Sequence, residues 1–511
     1  MTLLTSLLLA HDGDFAGFST SGENFAVAEF TADTSGGTQQ FRDSSITNWE
    51  FALVIASGTT TADTHTTHAR ITVGFVNAAG NMRVVGRRAE DGNTARSETY
   101  HWPRTTSCLL IGDPTDPTSP GPVAELGFSA AATDGFDGTW LTTPDQAYRI
   151  TIVFWGQITS SEVGTTQATT TPSTTAEYDY PLILPVGTAA SANAQSDYTP
   201  GMGVAVNDGT PTQGSLFGEW NRLVTTSDSD SAIYNNRASG RVVTGTESPV
   251  QVTAFSATPD FTAQTDSGTA SFFWAGIRHA NRDRNYGVAL ETLPGSTGTE
   301  AFTGLGFQPA VLLGAASLLT SENTLTDGPT ASTEAIFAGD HLTQACHTAS
   351  HEEGVVAPTP TNANTRSTSE ALVLYDHQGT IASEATLDSL DATGFTLDFS
   401  TATAGRLLVF GLEVTKLEVS ALETVELSET ASALEGLMVS ALESLELSES
   451  ASVATVEIST MGTTLDSKLA TARPGLYRAN VARPDPDPLT ISRPGLYRGH
   501  TAGPSIESQP G

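Results

Sequence analysis

The chain has 511 residues and a formal net charge of −34, and hydrophobic residues make up 38% of it. This length exceeds what one core usually supports and suggests roughly three or four domains, while the apolar content excludes a chain that is disordered throughout. Lys416 and Lys468 are the only lysines. So acidic a chain cannot neutralise phosphates over any length, which argues against nucleic-acid binding and against docking on anionic lipid.

The acidic, lysine-poor composition has two interpretations. It is typical of proteins from high-GC or high-salt sources, in which acidic surfaces remain soluble. It also fits an assembly whose carboxylates are bridged by cations. The sequence alone leaves both interpretations open.

The beginning of the chain and its cysteines indicate no special processing. The segment MTLLTSLLLAHDGD has a short apolar run without a basic segment before it, so we expect no signal peptide. No stretch is long enough to span a membrane, and we expect no membrane insertion. Cys108 and Cys346 are the only cysteines and lie far apart, so we expect two buried free thiols.

One order of apolar runs occurs three times along the chain. In the first cycle the runs are FALVIASG, HARITVGFVN, MRVVGRR, SCLLIGD, VAELGFS, DGFDGTW and RITIVFWG. The opening runs begin at Phe51, Tyr180 and Pro309, 129 residues apart each time. The runs are short, rich in β-branched or aromatic residues and bounded by Gly, Asp, Asn or Pro, which is the pattern of β-strands.

These repeats predict an all-β chain with three tandem β-sandwich or jelly-roll-like domains, followed by a repetitive fibrous or β-solenoid-like tail. The first domain also receives extra strands from its first fifty residues. The predicted segments are 1–156 for the first domain, 157–179 for a Thr-rich linker, 180–278 for the second domain, 279–308 for a linker, 309–414 for the third domain and 415–511 for the tail.

The tail has a strict 20-residue period that begins at Leu417. Its first two lines match at VSALE and ELSE, and two later lines match through RPGLYR at Arg473 and Arg493. Leucines five residues apart fit neither one helical face nor a plain strand. A β-solenoid or intertwined fibre, a helix and an extended polypeptide all remain open, and the Pro-rich segment ARPDPDP favours an extended end.

The segment CHTASHEE contains residue types that bind zinc. Its candidate ligands are Cys346, His347, His351 and Glu352. The segment is not HExxH, and no second ligand pair lies at zinc-finger spacing. We therefore expect no metal site here and interpret the segment as a polar strand end that faces water. His65 and His68, in a Thr-rich loop, form a weaker pair.

Aspartates in turns could bind Ca²⁺, which needs clustered oxygen ligands. The candidates are Asp12, Asp14, Asp113, Asp116 and the aspartates of the turn DGFDG. None of them matches an EF-hand or a glycine-rich nonapeptide repeat, and Asp and Gly are ordinary turn residues. We expect no cofactor, with Ca²⁺ as the one cation that such turns could hold.

Catalytic motifs are lacking as well. The sequence has no GxSxG, and the segment GTPTQGS lacks the lysine of a phosphate-binding loop. With so many acidic residues, no carboxylate pair can be singled out for glycoside cleavage. We therefore expect a protein that is not an enzyme and that has no catalytic residues. Trp140 and Trp220 could stack on a sugar, whereas Trp155, Trp274 and Phe410 occupy equivalent positions and belong in the core.

Residues 302–414 resemble a unit common in virion proteins of tailed viruses. The resemblance rests on TGLGFQPAVLLGAAS and on the later segment LDATGFTLDFSTATAGRLLVFGLEV. In that unit a Gly-Phe followed by a proline leads into a buried strand, and a second Gly-Phe with a final hydrophobic strand closes the domain. The first two cycles keep the order of runs but lack the Gly-Phe before the opening run.

The resemblance implies a structural component of the virion exterior, such as a tail fibre, a baseplate or a head spike, acting in host attachment or particle stabilisation. It implies assembly in the host cytoplasm, where no signal peptide is needed. The implied partners are further copies of the chain, for instance in a trimer, other virion proteins, and a glycan or protein of the host surface. Two alternatives stay open, a secreted or cell-surface carbohydrate-binding adhesin and a polysaccharide depolymerase.

Overall fold

The computed structural model describes most of the chain between residues 24 and 413, together with four short strands beyond it. The described ranges are 24–95, 98–113, 121–169, 173–174, 182–188, 201–208, 210–220, 224–243, 245–256, 260–278, 286–340, 342–413, 458–460, 463–465, 478–480 and 490–492.

The chain divides into two compact units, one formed by residues 21–415 and the other by residues 1–20 with 416–511. Within these described ranges the prediction of an all-β chain is confirmed, because the regular structure consists of β-strands and one 3₁₀ helix of three residues. No helix among them has the length and apolar character needed to cross a membrane.

The first copy of the repeated fold covers residues 24–156. Its strands are β1 Asn24–Thr31, β2 Thr38–Arg42, β3 Trp49–Ser57, β4 Thr66–Thr67, β5 Ala69–Asn77, β6 Met82–Ala89, β7 Thr99–Arg104, β8 Leu109–Gly112, β9 Pro122–Ala132, β10 Gly135–Thr142 and β11 Arg149–Gly156.

The second copy covers residues 160–278. Its strands are β12 Ser160–Thr169, β13 Ser173–Thr174, β14 Leu182–Thr188, β15 Met202–Asp208, β16 Thr210–Trp220, β17 Ser229–Tyr234, β18 Ser239–Val243, β19 Thr246–Ser256, β20 Asp260–Thr265 and β21 Thr269–Arg278.

The third copy covers residues 286–413 and includes the 3₁₀ helix Pro329–Ala331. Its strands are β22 Tyr286–Leu293, β23 Gly298–Phe302, β24 Pro309–Ser317, β25 Thr326–Asp327, β26 Thr333–Gly339, β27 Gln344–His351, β28 Ala363–Thr368, β29 Leu372–Tyr375, β30 Ile381–Asp391, β31 Gly394–Thr401 and β32 Gly405–Glu413.

All three copies have the same strand order in two antiparallel sheets. The larger sheets, which we call the inner sheets, have the orders β1-β11-β3-β5-β6-β7, β12-β21-β14-β15-β16-β17 and β22-β32-β24-β26-β27-β28. The four-stranded outer sheets have the orders β2-β10-β9-β8, β13-β20-β19-β18 and β23-β31-β30-β29. Each copy is thus sandwich-like. In the first copy the meanders β3-β5-β6-β7 and β8-β9-β10 are combined with β1, β2 and β11, whose connections pass between the two sheets, and this topology differs from the two Greek keys of a jelly roll.

The inner sheets are buried on both faces, and strand β3 shows how the sequence achieves this. Because successive side chains point to opposite faces of a strand, Phe51, Leu53 and Ile55 contribute to one hydrophobic cluster. Ala52 and Val54 contribute to another cluster, together with residues of the outer sheet of the same copy. A strand buried on both faces needs a continuous apolar run, which FALVIAS supplies.

The first of these clusters is shared by all three copies. It contains inner-sheet side chains from every copy, for example Leu53, Leu216 and Leu313, all of them almost wholly buried. The opposite faces of the inner sheets and the outer sheets form separate cores within each copy. The three inner sheets therefore surround one common core, and the outer sheets lie farther from it.

Short strands pass from one copy to the sheet of another. Strand β4 of the first copy pairs with β28 of the third, and β25 of the third pairs with β17 of the second. The first and second copies are joined by the Thr99 hydroxyl, which donates to the carbonyl of Trp220 at 2.7 Å, and by Asn77, whose amide donates to the carbonyl of Ser161. Each copy therefore contacts both others.

Several segments differ from the sequence prediction. Strands β12 and β13 lie within the predicted linker 157–179, and β22 and β23 lie within the predicted linker 279–308. All four strands are at sheet edges in their own copies. Strands β12, β13 and β23 have few apolar residues and lack the signal that marked the other strands. Strand β22, with the sequence YGVALETL, does carry apolar residues, and its signal was missed.

The predicted tail falls largely outside the described residues. Two strand pairs are described there, β33 Ile458–Thr460 with β34 Thr463–Leu465, and β35 Arg478–Asn480 with β36 Thr490–Ser492. The choice between a solenoid, a fibre and a helix stays a prediction.

Candidate functional site: the junctions between the copies

Side chains from all three copies meet in a buried polar cluster, which we call the central cluster. Arg87 of β6 forms an ion pair with Glu334 of β26, and its guanidinium lies 3.1 Å from the centre of the Trp220 ring in β16. The ring of His351 in β27 stacks on Trp220 with 5.5 Å between the ring centres. Arg87 is 2% exposed and Glu334 is 7% exposed, so the ion pair is withdrawn from water.

Burial dominates the electrostatics of the central cluster. It raises the pKa of Glu334 and lowers the pKa of Arg87 to about 10, although each charge attracts the other. Burial, followed by repulsion from Arg87, lowers the pKa of His351 to about 3, which keeps this imidazole neutral at pH 7. The charge of Arg87 compensates the buried charge of Glu334, and the reverse also holds. Removal of either side chain would therefore leave an uncompensated charge in the core.

A second polar contact joins the first and third copies through His347. Its Nδ1 lies 2.9 Å from the Ser57 hydroxyl, and its Nε2 lies 2.8 Å from the Thr151 hydroxyl. Burial, with a smaller contribution from Arg149, lowers the pKa of His347 to about 3. A neutral imidazole between two hydroxyls satisfies both ring nitrogens, so His347 serves as a structural link.

The candidate zinc ligands are not brought together. Cys346 faces the core of its own copy, where burial raises the pKa of its thiol to about 11, whereas His347 and His351 face other copies. Four residues along a strand span about 13 Å, too far for two ligands of one ion. The carboxylate of Glu352 accepts a hydrogen bond from the Asn362 amide. The expectation that this segment faces water was wrong, since β27 is buried almost throughout.

The weaker histidine pair is also separated by its partners. His65 lies with its Nε2 2.5 Å from the Asn364 side-chain oxygen, across the contact between the first and third copies. The Nδ1 of His68 accepts a hydrogen bond from the Asp91 amide at 3.0 Å. Each imidazole has its own structural partner.

The candidate calcium turn DGFDG is occupied by a side chain of the protein. Arg42 forms ion pairs with both Asp134, at 3.2 Å, and Asp137. These carboxylates are neutralised internally, so the turn is not a free cation site. Asp12, Asp14 and Asp116 lie outside the described residues, and the amide of Asp113 donates to the carbonyl of Gly121.

The tryptophans considered for sugar stacking are closed to solvent. Trp140 is 6% exposed, and its indole N–H donates to the side-chain oxygen of Gln39 at 3.1 Å. Trp220 lies in the central cluster between Arg87 and His351. Neither ring presents a face that a sugar could cover, so this interpretation was wrong.

The three aromatic residues expected in the core are buried there, but not all on one face. Trp155 and Phe410 belong to the shared core, whereas Trp274 belongs to the core of the second copy and donates to the Thr166 hydroxyl at 3.0 Å. A shift of one residue in a strand reverses the face. Trp274 is therefore not equivalent to the other two.

Carboxylates gather where the second and third copies meet. Oxygen atoms of Asp228, Asp230 and Asp327 all lie within 4.8 Å of one another. Asp230 in β17 is directly opposite Asp327 in β25, so the two side chains belong to different copies. We call these three residues together with Glu353 the acidic junction.

Glu353 joins this group from the loop after β27. The loop is fixed to the second copy, because Gly354 donates to the carbonyl of Ser227 at 2.8 Å and Val355 donates to the Ser227 hydroxyl at 2.9 Å. Burial and then repulsion from Asp228 raise the pKa of Glu353 to about 7, against a hydrogen bond from the Ser229 amide that lowers it.

The carboxyl group of Asp230 is also buried next to other carboxylates. Its pKa is raised to about 6 by burial first and then by repulsion from Asp228 and Asp327. Sequence reasoning missed the acidic junction, because its members come from the start of β17 and the residue before it in one copy and from two separate segments of another. The segment SDSD was the only local signal, and it resembles an ordinary polar turn.

No family model, no curated protein and no solved structure matches this chain.

Proposed function

We propose that the chain is a structural component of the exterior of a tailed-virus virion, such as a tail fibre, a baseplate or a head spike. In this proposal three tandem β-sandwich domains act as one rigid block, and the repetitive residues 415–511 serve as a rod or tether. The proposed role is host attachment or particle stabilisation, in contact with other virion proteins.

The observation that carries a structural role is the core shared by the three inner sheets. Each inner sheet is buried against the other two copies on one face and against its own outer sheet on the other. The exchange of β4 and β25 between copies adds main-chain hydrogen bonds to this apolar contact. Such a block resists relative motion of its parts, which suits a particle component.

The chemistry of the junctions supports the same role. The histidines that sequence reasoning weighed as ligands are buried and partnered by hydroxyls or rings of other copies, as His347 and His351 show. The buried ion pair of Arg87 and Glu334 also joins two copies. Polar groups are thus used here to fix copies against one another.

Particle composition provides the test. Tailed virions purified from the host that carries this gene should contain the chain in fixed stoichiometry when their proteins are quantified by mass spectrometry. Purified virions without the chain would contradict the proposal. Release of soluble oligosaccharides from host polysaccharide by the purified full-length chain would contradict the expectation that it is not an enzyme.

A further inference from the structure

We propose that the acidic junction of Asp228, Asp230, Asp327 and Glu353 binds a Ca²⁺ ion that links the second and third copies. The ion would attach β25 and the loop after β27, both from the third copy, to the edge strand β17 of the second.

The first argument is the cross-strand pair itself. Like charges directly opposite each other on neighbouring strands are destabilising. Asp230 and Asp327 are such a pair, and Asp228 lies within the same 4.8 Å. A bound cation converts this repulsion into attraction, because each carboxylate then becomes a ligand.

The corresponding junction between the third and first copies provides an internal comparison. There β4 pairs with β28 through Thr66 opposite Thr365 and Thr67 opposite Asn364, all of them uncharged. The same two-residue ladder therefore forms with neutral side chains. The carboxylates of Asp230 and Asp327 are therefore not needed for the pairing of β17 with β25, which suggests that they have another role.

The second argument is that Asp230 is buried without a donor. It is 4% exposed, and among the described residues no group donates a hydrogen bond to its carboxylate. The Oε2 atom of Glu353 is likewise shielded from water and has no hydrogen-bond partner within the described part of the chain. Buried carboxylate oxygens without donors are costly unless they bind a cation or a proton.

The coordination preferences of the two ions favour Ca²⁺ over Mg²⁺. Ca²⁺ binds oxygens at about 2.3–2.6 Å, so oxygens on opposite sides of the ion are about 4.6–5.2 Å apart. The three aspartates have oxygens within 4.8 Å of one another, which fits this sphere. Mg²⁺ binds at about 2.0–2.1 Å in a near-ideal octahedron and usually keeps several waters, so a site made of several carboxylates from separate segments suits the more adaptable Ca²⁺.

The experiment uses the full-length chain, freed of metal with EDTA and dialysed at pH 7.5. Calorimetric titration with CaCl₂ and thermal unfolding with and without Ca²⁺ are compared for the wild type, Asp230→Asn, Asp327→Asn and Glu300→Gln. Glu300 lies exposed in β23 of the third copy, so its substitution removes one negative charge away from the junction.

We expect Ca²⁺ to raise the Tm of the wild type and of Glu300→Gln equally, and MgCl₂ to have little effect. Loss of one ligand should weaken the Ca²⁺ affinity by about tenfold or more in either aspartate variant. Without Ca²⁺, Asp230→Asn should unfold at the wild-type Tm or above it, because a buried like charge is removed. Asp327 is exposed whereas Asp230 is buried, so Asp327→Asn tests the site even if Asp230→Asn does not fold.

Three results would overturn the proposal. The first is that Ca²⁺ changes neither the Tm nor the calorimetric heat of the wild type. The second is that Asp230→Asn and Asp327→Asn both respond to Ca²⁺ as the wild type does. The third is that the wild type responds to MgCl₂ as strongly as to CaCl₂. Tb³⁺ provides a further readout, because Trp220 is directly opposite Ser229, the residue between Asp228 and Asp230. Tryptophan-sensitised Tb³⁺ emission should be strong in the wild type and weak in Asp327→Asn, and equal emission would also contradict the site.

Discussion

Arg87 and Glu334 form an ion pair that joins the first copy to the third, with both side chains almost wholly buried. Removing one partner of a buried pair leaves the other charge without compensation. We therefore expect Glu334→Gln to lower the free energy of unfolding by about 3–5 kcal/mol. Urea unfolding followed by fluorescence measures this change.

Two variants sharpen that prediction. Replacing both residues, as Arg87→Met with Glu334→Leu, should recover most of the lost stability, because no charge is left buried. The exposed ion pair of Arg237 and Asp266 serves as a control, and Asp266→Asn should cost at most about 1 kcal/mol. Equal losses in Glu334→Gln and Asp266→Asn would show that burial does not determine the effect.

Neighbouring residues of β3 should report on two different cores. Leu53→Ala opens a cavity in the core shared by the copies and should cost about 2–5 kcal/mol, whereas Val54→Ala opens a smaller one inside the first copy. Hydrogen exchange should become faster in inner strands of the other copies for Leu53→Ala. For Val54→Ala the faster exchange should be confined to the first copy, and identical exchange patterns would argue against separate cores.

Close approach of backbones makes two glycines necessary. A Cβ at Gly74 would overlap the carbonyl of Cys108, and a Cβ at Gly203 would overlap the carbonyl of Ala238. Both contacts join an inner strand to the start of the outer sheet. Gly74→Ala and Gly203→Ala should each destabilise by about 1–3 kcal/mol or more, as overpacking does. Gly295 has open space around it, so an unchanged Tm is expected for Gly295→Ala in the same thermal scans.

Acid should weaken the fold through its buried histidines. The pKa values of His101, His347 and His351 are each lowered to about 3 by burial, against an ordinary value near 6.5. Below pH 6.5 the unfolded chain binds protons at these histidines that the folded chain does not. The contribution of the three histidines to stability is therefore complete above pH 6.5 and is lost as the pH falls towards 3.

Substitution of His347 isolates the contribution of this one histidine to the pH dependence of stability. His347→Gln should reduce the slope of unfolding free energy against pH between 6 and 4 by about 1.4 kcal/mol per pH unit. Ser57→Ala removes a hydrogen-bond partner of His347 without removing a titrating group, so it should lower stability and keep the slope. A His347→Gln slope equal to that of the wild type would contradict a buried neutral imidazole.

The strands of the inner sheets were the most predictable part of the fold. Runs such as FALVIAS and RITIVFWG are continuous in apolar residues because both of their faces are buried, so the signal is strong. Edge strands such as β12, with the sequence SSEVGTTQAT, bury little and were interpreted as linkers. The strength of the sequence signal thus followed the depth of burial.

The junctions could not be predicted from the sequence for a physical reason. His347 lies between Cys346 and Thr348 in the sequence, and its partners Ser57 and Thr151 are distant in the chain. Local patterns describe which face of a strand is apolar, but they do not show which copy that face meets. The same holds for Asp230 and Asp327, whose proximity follows only from the exchange of β25.

Because the three copies lie in one chain and differ in sequence, their arrangement lacks exact threefold symmetry. In a symmetric homotrimer every contact between neighbouring subunits is the same, because a rotation by 120° superposes the trimer on itself. Here the two described strand exchanges have different characters, with uncharged partners at β4 and carboxylates at β25. The two junctions therefore differ in chemistry, and a surface made by one of them is not repeated at the other.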